Sequence, residues 1–155
     1  TSKGSFYHYF DGKDALLSTL SSLFDEKYEE LTGLLTPEMT AMEQLLFLNR
    51  ELFHMIEDSI SLDLLARLYS TQLTTNGEKH LLDHNRIYYK LLRKIIAKGQ
   101  SEGQLSSRSN VNEMVKLYAL CERALLYYWC LCAGEYALTE YSAKVLPGFL
   151  SSFLP

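Results

Sequence analysis

The stretch from Val111 to Ala133 constrains the fold more than any other part of the chain. Met114, Tyr118, Cys121, Leu125, Tyr128 and Cys132 recur at alternating steps of three and four residues, and so do Leu117, Leu120, Ala124, Tyr127 and Leu131. At about 3.6 residues per turn these are two apolar stripes on one helix, interrupted only by Lys116, Glu122 and Arg123. A helix apolar on two sides needs two partners, its own core and something else. Within it Ala124 to Ala133 is wholly apolar, but a membrane span needs about 20 such residues. The run predicts a buried helix and no membrane association.

The helical period extends through the rest of the chain. Strand-like alternation is absent, so the expected fold class is all-α. A chain of 155 residues fits one domain, or a small head joined to a larger body. At this length it buries roughly two-thirds of its unfolded surface. The net charge of −4 argues against a body that grips nucleic acid non-specifically, while leaving room for a small basic face at one end. The odd trio Cys121, Cys130 and Cys132, at tight helical spacing, suits buried thiols in a reducing cytoplasm better than a disulfide framework.

Individual elements follow from caps and breakers. Ser2 can cap a short helix through Phe6, Tyr7 and Tyr9 that Asp11-Gly12 ends. A longer helix follows, with Leu16, Leu20, Leu23, Leu31 and Leu34 inward. Thr36-Pro37 is expected to begin the next, with Pro at the first helical position and Met42, Leu45, Leu52 and Ile56 as its stripe. Ser61 opens a short helix to about Leu73. After the loop signal at 74–77, a long helix is expected from Glu78 to about Gly99, with Leu81, Tyr88, Leu92 and Ile95 on one face. Gly99 and Gly103 read as C-cap glycines, and Asn110 as the N-cap of the Val111 helix. A last helix spans Leu138 to Leu154, with Tyr141, Val145, Phe149 and Phe153 inward and a kink or split at Pro147.

Metal and catalytic constellations are weak. His80 and His84 are four apart, which on a helix could face one metal, but two surface histidines explain them as well. Glu51 and His54 form a Glu-x-x-His unit, yet a di-iron bundle needs a second such unit and more carboxylates. Cys130 and Cys132, two apart on a helix, face different ways. No nucleophile–base pair and no phosphate-binding glycine loop is present. We therefore expect no enzyme, no metal and no cofactor.

The opening segment carries the functional signal. It reads Ser2-Lys3-Gly4-Ser5-Phe6-Tyr7-His8-Tyr9-Phe10, then Lys13 and Leu16-Leu17. A Ser-capped helix start offers free backbone N–H groups and a positive dipole end to a phosphate. Lys3 and Lys13 add charge, Gly4 leaves room for a DNA backbone, and Ser5, Tyr7 and His8 can bond to phosphates or base edges. Phe6, Tyr9 and Phe10 read as core residues that seat this helix. The segment closely resembles the end of the helix-turn-helix in the tetracycline-repressor (TetR) family, with detail over about the first 17 residues only. The resemblance implies that residues 1–17 end a DNA-binding head whose two earlier helices precede Thr1, so that this chain alone binds operator poorly. It implies that 18–155 form a ligand-binding and dimerisation domain.

The expected protein is thus a homodimeric regulator, most simply a repressor, that binds palindromic double-stranded operator DNA through Ser2, Lys3, Gly4, Ser5, Tyr7, His8 and Lys13. The last two long helices would pair with their copies in a four-helix bundle, with Leu120, Ala124, Tyr127 and Leu131 at the interface. The resemblance also implies a pocket for a small hydrophobic or aromatic effector. Tyr69, Tyr88, Tyr89, Tyr118, Tyr128 and Trp129 bring polar tips into apolar surroundings. Tyr88 and Tyr118 are the candidate liners, with Leu92, Cys121, Leu125 and Trp129 beside them. The rival reading is a helical dimerisation module that binds neither ligand nor DNA.

Overall fold

A computed structural model describes the backbone of residues 2–155 and the side chains of residues 18–155. The chain is all-helical among the described residues: α1 (Ser2–Leu34), α2 (Ala41–Ser59), α3 (Leu62–Thr74), α4 (Ile87–Ser101), α5 (Val111–Leu131) and α6 (Leu138–Phe149). Short 3-10 turns lie at His80–Leu82 and Ser151–Phe153. The side chains of the DNA-contact set Ser2, Lys3, Gly4, Ser5, Tyr7, His8 and Lys13, and of Leu16, lie outside the described residues. The break expected at Asp11-Gly12 does not form: α1 is one helix from Ser2 to Leu34. Among the described residues, no helix is long and apolar enough to cross a membrane.

Helix starts follow the capping side chains. α2 begins at Ala41, later than the Pro37 start expected. Thr40 Oγ1 accepts from the backbone N–H of Glu43 (3.1 Å), and Glu43 accepts in return from the N–H of Thr40 (2.8 Å). This reciprocal box satisfies two orphan donors, whereas Pro37 sits in a turn closed by Met39 N–H on Thr36 O (3.1 Å). Ser61 and Asn110 cap α3 and α5, accepting from Leu64 N–H (3.1 Å) and Glu113 N–H (2.8 Å). The start of α6 is capped from another helix: Glu57 on α2 accepts from the N–H groups of Leu138 (3.0 Å) and Thr139 (2.7 Å) and from the Thr139 hydroxyl.

The helix expected from Glu78 does not form before Ile87. Side chains take the backbone groups a helix would need. Leu81 N–H donates to Gln72 Oε1 (2.9 Å), Leu81 O accepts from the Tyr89 hydroxyl (2.7 Å), and Asn85 N–H donates to Asp83 Oδ1 (3.0 Å). Gly77, at φ +92°, opens this irregular strap. Gly99 is likewise not a helix end. It lies inside α4, where a Cβ would sit 2.6 Å from Ala41 Cβ and 2.8 Å from Leu105. Only glycine lets α2 and the chain after α4 come this close; Gly103, at φ +73°, is the residue that turns the chain.

α2 packs against α1, α4 and α6, and α5 packs against α3, α4 and α6. Phe53, Leu45, Leu92, Ile96, Tyr118 and Leu146 are fully or almost fully buried between them. Three expected stripes need correction. On α1, Leu20 and Leu31 are buried but Leu34 is exposed, and Tyr28 is buried instead. On α6, the inward set is Leu138, Ser142, Leu146 and Leu150; Tyr141 and Phe149 face out. α6 ends at Phe149, shortly after Pro147, and a 3-10 turn delivers Phe153 to the core.

The third correction is on α5. Its buried residues are Met114, Val115, Tyr118, Ala119, Glu122, Leu125, Leu126 and Trp129, while Tyr128 is exposed and Cys121 and Cys132 are half-buried. The stripe read from the sequence repeats every 3.5 residues on average. A straight helix drifts about 20° per heptad from that repeat. Over this length Leu126 and Trp129 therefore replace Tyr128 and Cys132 on the inner face. The helix ends at Leu131, short of Ala133, which adopts φ +54°.

Candidate functional site

The inner face of α5 carries a carboxylate. Glu122 is 4% exposed, and each of its oxygens accepts one hydrogen bond. Oε1 takes the Tyr88 hydroxyl from α4 (2.6 Å) and Oε2 takes Asn49 Nδ2 from α2 (2.9 Å). Burial raises its pKa above the ordinary glutamate value, outweighing the hydrogen bonds from Tyr88 and Asn49, which lower it. Tyr88 is held in its protonated, donating form by burial and by the Glu122 charge.

A small cavity of about 60 Å³ opens beside this carboxylate. Phe24 and Tyr28 line it from α1, Leu52 and Ile56 from α2, and Tyr69 from α3. Leu81 and Arg86 line it from the strap, Tyr88 from α4, and Glu122, Arg123 and Leu126 from α5. Tyr28 and Tyr88 meet with ring centroids 5.1 Å apart. Leu81 is clamped over the cavity by its backbone. Its carbonyl accepts from Tyr89 and from Arg123 Nη2, which also donates to the Tyr89 hydroxyl (2.6 Å). His84 stacks on Tyr89 (centroids 4.5 Å apart) and secures the same strap.

Arg86 is the least satisfied side chain here. Its side chain is 8% exposed, and among the described residues its charge partner is Asp25, at 3.5 Å. Arg86 Nε, Asp25 Oδ1 and His80 Nε2 are each buried without a hydrogen-bond partner among the described residues. Burial pushes the pKa values of Tyr28 and Tyr69 up.

The structure brings only part of the expected ligand set to this cavity. Tyr88 lines it. Tyr118 is fully buried beside Glu122 and is not among the lining residues; its hydroxyl donates to Leu45 O (2.8 Å). Leu92, Cys121, Leu125 and Trp129 are not among its lining residues; Trp129 Nε1 instead donates to Tyr136 O (2.9 Å). Glu122, Arg123, Arg86, Asn49 and Tyr28 were not singled out from the sequence. Glu122 and Arg123 had a visible signal, since charge in the middle of the most apolar helix is costly unless partnered. Arg86 and Asn49 had none.

The second α5 stripe is solvent-facing. Leu117, Leu120, Ala124, Tyr127 and Leu131 are all exposed, Leu131 to 66%. The adjoining α6 exposes Tyr141 and Phe149. His80 and His84 lie on the strap rather than on one helix face, and His54 pairs with Asp58 (3.1 Å) rather than joining Glu51 at a metal. Compared with known proteins, the chain matches no protein-family model, no curated protein and no solved structure.

Proposed function

We propose that this chain is the effector-binding and dimerising part of a one-component transcriptional regulator of the tetracycline-repressor kind. It would act as a homodimer on palindromic operator DNA, as a repressor released by a small hydrophobic effector. The observation that carries this reading is the course of α1. The helix runs on from the motif-bearing segment at 2–17 and then contributes Phe24 and Tyr28 to the cavity wall. An occupant of the cavity would therefore act on the helix that leads to the DNA contacts.

α5 supplies the second half of the coupling. Its inner face holds Glu122 and Arg123 at the cavity, and its outer stripe, with α6, is the surface for a four-helix bundle with a second copy. Two heads must sit about 34–36 Å apart to enter successive major grooves. An effector that binds better to a wrongly spaced arrangement shifts the population away from the DNA-competent one.

Fluorescence anisotropy tests this in the protein carrying the complete head that the resemblance implies. A palindromic operator selected from random sequence is the probe, titrated at several salt concentrations. Lys3→Ala should weaken binding and reduce the salt slope by about 0.9, the contribution of one phosphate contact. Unchanged affinity in Lys3→Ala, Tyr7→Ala and His8→Ala together would end the DNA-binding reading and leave the dimerisation module.

A further inference from the structure

Leu81 and Arg86 reach the cavity from the strap at 75–86, and this part of the wall is held differently from the helices. No residue from 75 to 86 is buried, and Leu82 leaves 55% of its surface to solvent. The strap therefore has little apolar area to hold it down. Its attachment is polar and converges on the backbone of Leu81. The N–H donates to Gln72 Oε1 on α3, and the carbonyl accepts from Tyr89 on α4 and Arg123 on α5.

Toward α1 the fit is poorer. Arg86 approaches Asp25 at 3.5 Å, while Arg86 Nε, Asp25 Oδ1 and His80 Nε2 stay without hydrogen-bond partners among the described residues. The ends of the strap permit motion. Gly77 sits at φ +92° with nothing within 4 Å of where a Cβ would stand, and α4 starts without a side-chain cap. Segments with few buried apolar contacts open locally at a small fraction of the cost of global unfolding. A hinge needs only a few residues that absorb the backbone change.

The size of the cavity gives the strap a task. About 60 Å³ is room for only a few heavy atoms, since one water occupies about 30 Å³ in the liquid. The Leu81 side chain lines this space while its backbone is latched, so a larger occupant has to push on the latch.

We propose that the strap at 75–86 is a lid: local opening about Gly77 admits and releases the occupant, and Gln72, Tyr89 and Arg123 latch it shut at Leu81. This rests on the effector-pocket reading and adds to it the route of entry.

The test uses no ligand, so the lid and the pocket fail separately. Amide hydrogen exchange of the 15N-labelled chain is followed against urea at Leu81 and at Tyr118. Thiol labelling by iodoacetamide follows Leu126→Cys on the cavity wall and Leu92→Cys in the core, each with Cys121→Ser, Cys130→Ser and Cys132→Ser. Leu81 exchange and Leu126→Cys labelling should be nearly independent of urea, while Tyr118 exchange and Leu92→Cys labelling follow global unfolding. Tyr89→Phe removes one latch bond and no cavity wall. It should speed Leu81 exchange and Leu126→Cys labelling together, by about two- to tenfold, the scale of one neutral hydrogen bond. Leu146→Ala, in the core on α6, should speed Tyr118 exchange and leave both lid readouts unmoved, because the opened strap keeps that contact.

Exchange of Leu81 only by global unfolding would overturn the lid. So would faster Leu81 exchange in Tyr89→Phe without faster Leu126→Cys labelling, since the strap would then open without guarding the cavity. Labelling of Leu126→Cys at the rate of a free thiol would show that the cavity needs no lid. If the cysteine variants do not fold, the urea dependence of Leu81 exchange in the wild-type chain still decides whether the strap opens by itself.

Discussion

The two faces of α5 invert the usual order of a soluble helix. The inner face buries an acid, Glu122, among Tyr88, Asn49 and Tyr118. The outer face leaves Leu120, Tyr127, Tyr128 and Leu131 to solvent. A helix selected only to stabilise an isolated bundle would do the opposite, because exposed apolar area forfeits about 25 cal/mol per Å² and a buried charge costs several kcal/mol. Each departure is what the proposed function would require: a second surface on the outside, and a binding or switching polar group on the inside.

The largest effect expected from this contrast is at the outer face. Tyr127→Glu places two unpaired charges in one desolvated seam of a two-fold dimer, a penalty of several kcal/mol. Sedimentation equilibrium should show a micromolar wild-type dimer and a monomeric variant. A monomeric wild type would instead leave the exposed stripe without its partner copy.

Next comes a matched pair of leucines. Leu125→Ala on the inner face should cost about 2–5 kcal/mol in urea unfolding, through lost transfer energy and a cavity. Leu120→Ala should stay within about 0.5 kcal/mol at high dilution and cost more as protein concentration rises, because only the proposed dimer would bury it. Similar, concentration-independent losses for both would mean that the two faces do not differ as described.

Removing one support of the buried acid is a smaller change. Tyr88→Phe takes a donor from Glu122 and should cost about 1.5–3 kcal/mol where the carboxyl is ionised, the scale of a hydrogen bond to charge. The cost should shrink on acidification, once the carboxyl is protonated. A cost independent of pH would show that the hydroxyl serves packing alone.

The smallest effect is a slope. The folded-state pKa of Glu122 is raised, chiefly by burial. Its contribution is therefore fully present below the unfolded value of about 4.3 and is lost as pH rises through the folded value. Glu122→Gln should flatten that decline. Comparing the variant with wild type cancels the other groups. Among these is Glu57, where burial is outweighed by hydrogen bonds from Thr139 and Leu138. That depressed pKa loses stability in the opposite direction, as pH falls below the same reference. His80, depressed mainly by burial, loses stability as pH falls below the ordinary histidine value. Identical pH profiles for Glu122→Gln and wild type would remove Glu122 as a titrating group.

The sequence by itself determined the helical class, the Ser61 and Asn110 caps and the second apolar stripe on α5. Each depends on local chemistry: the period of apolar residues, a side-chain oxygen three residues before a free N–H, or the absence of strand alternation. It also exposed Glu122 and Arg123 as interruptions without saying what they met. Tertiary structure decided the rest. Which face of α5 turned inward depended on accumulated helical drift against α3, α4 and α6. Gly99 became a packing residue only because Ala41 and Leu105 arrive on it. The strap at 75–86 replaced a helix because Gln72, Tyr89 and Arg123, distant along the chain or on other elements, took the backbone groups of Leu81. The cavity is a product of convergence. Tyr28, Asn49, Arg86, Tyr88 and Glu122 come from different elements, and no local pattern records that they converge.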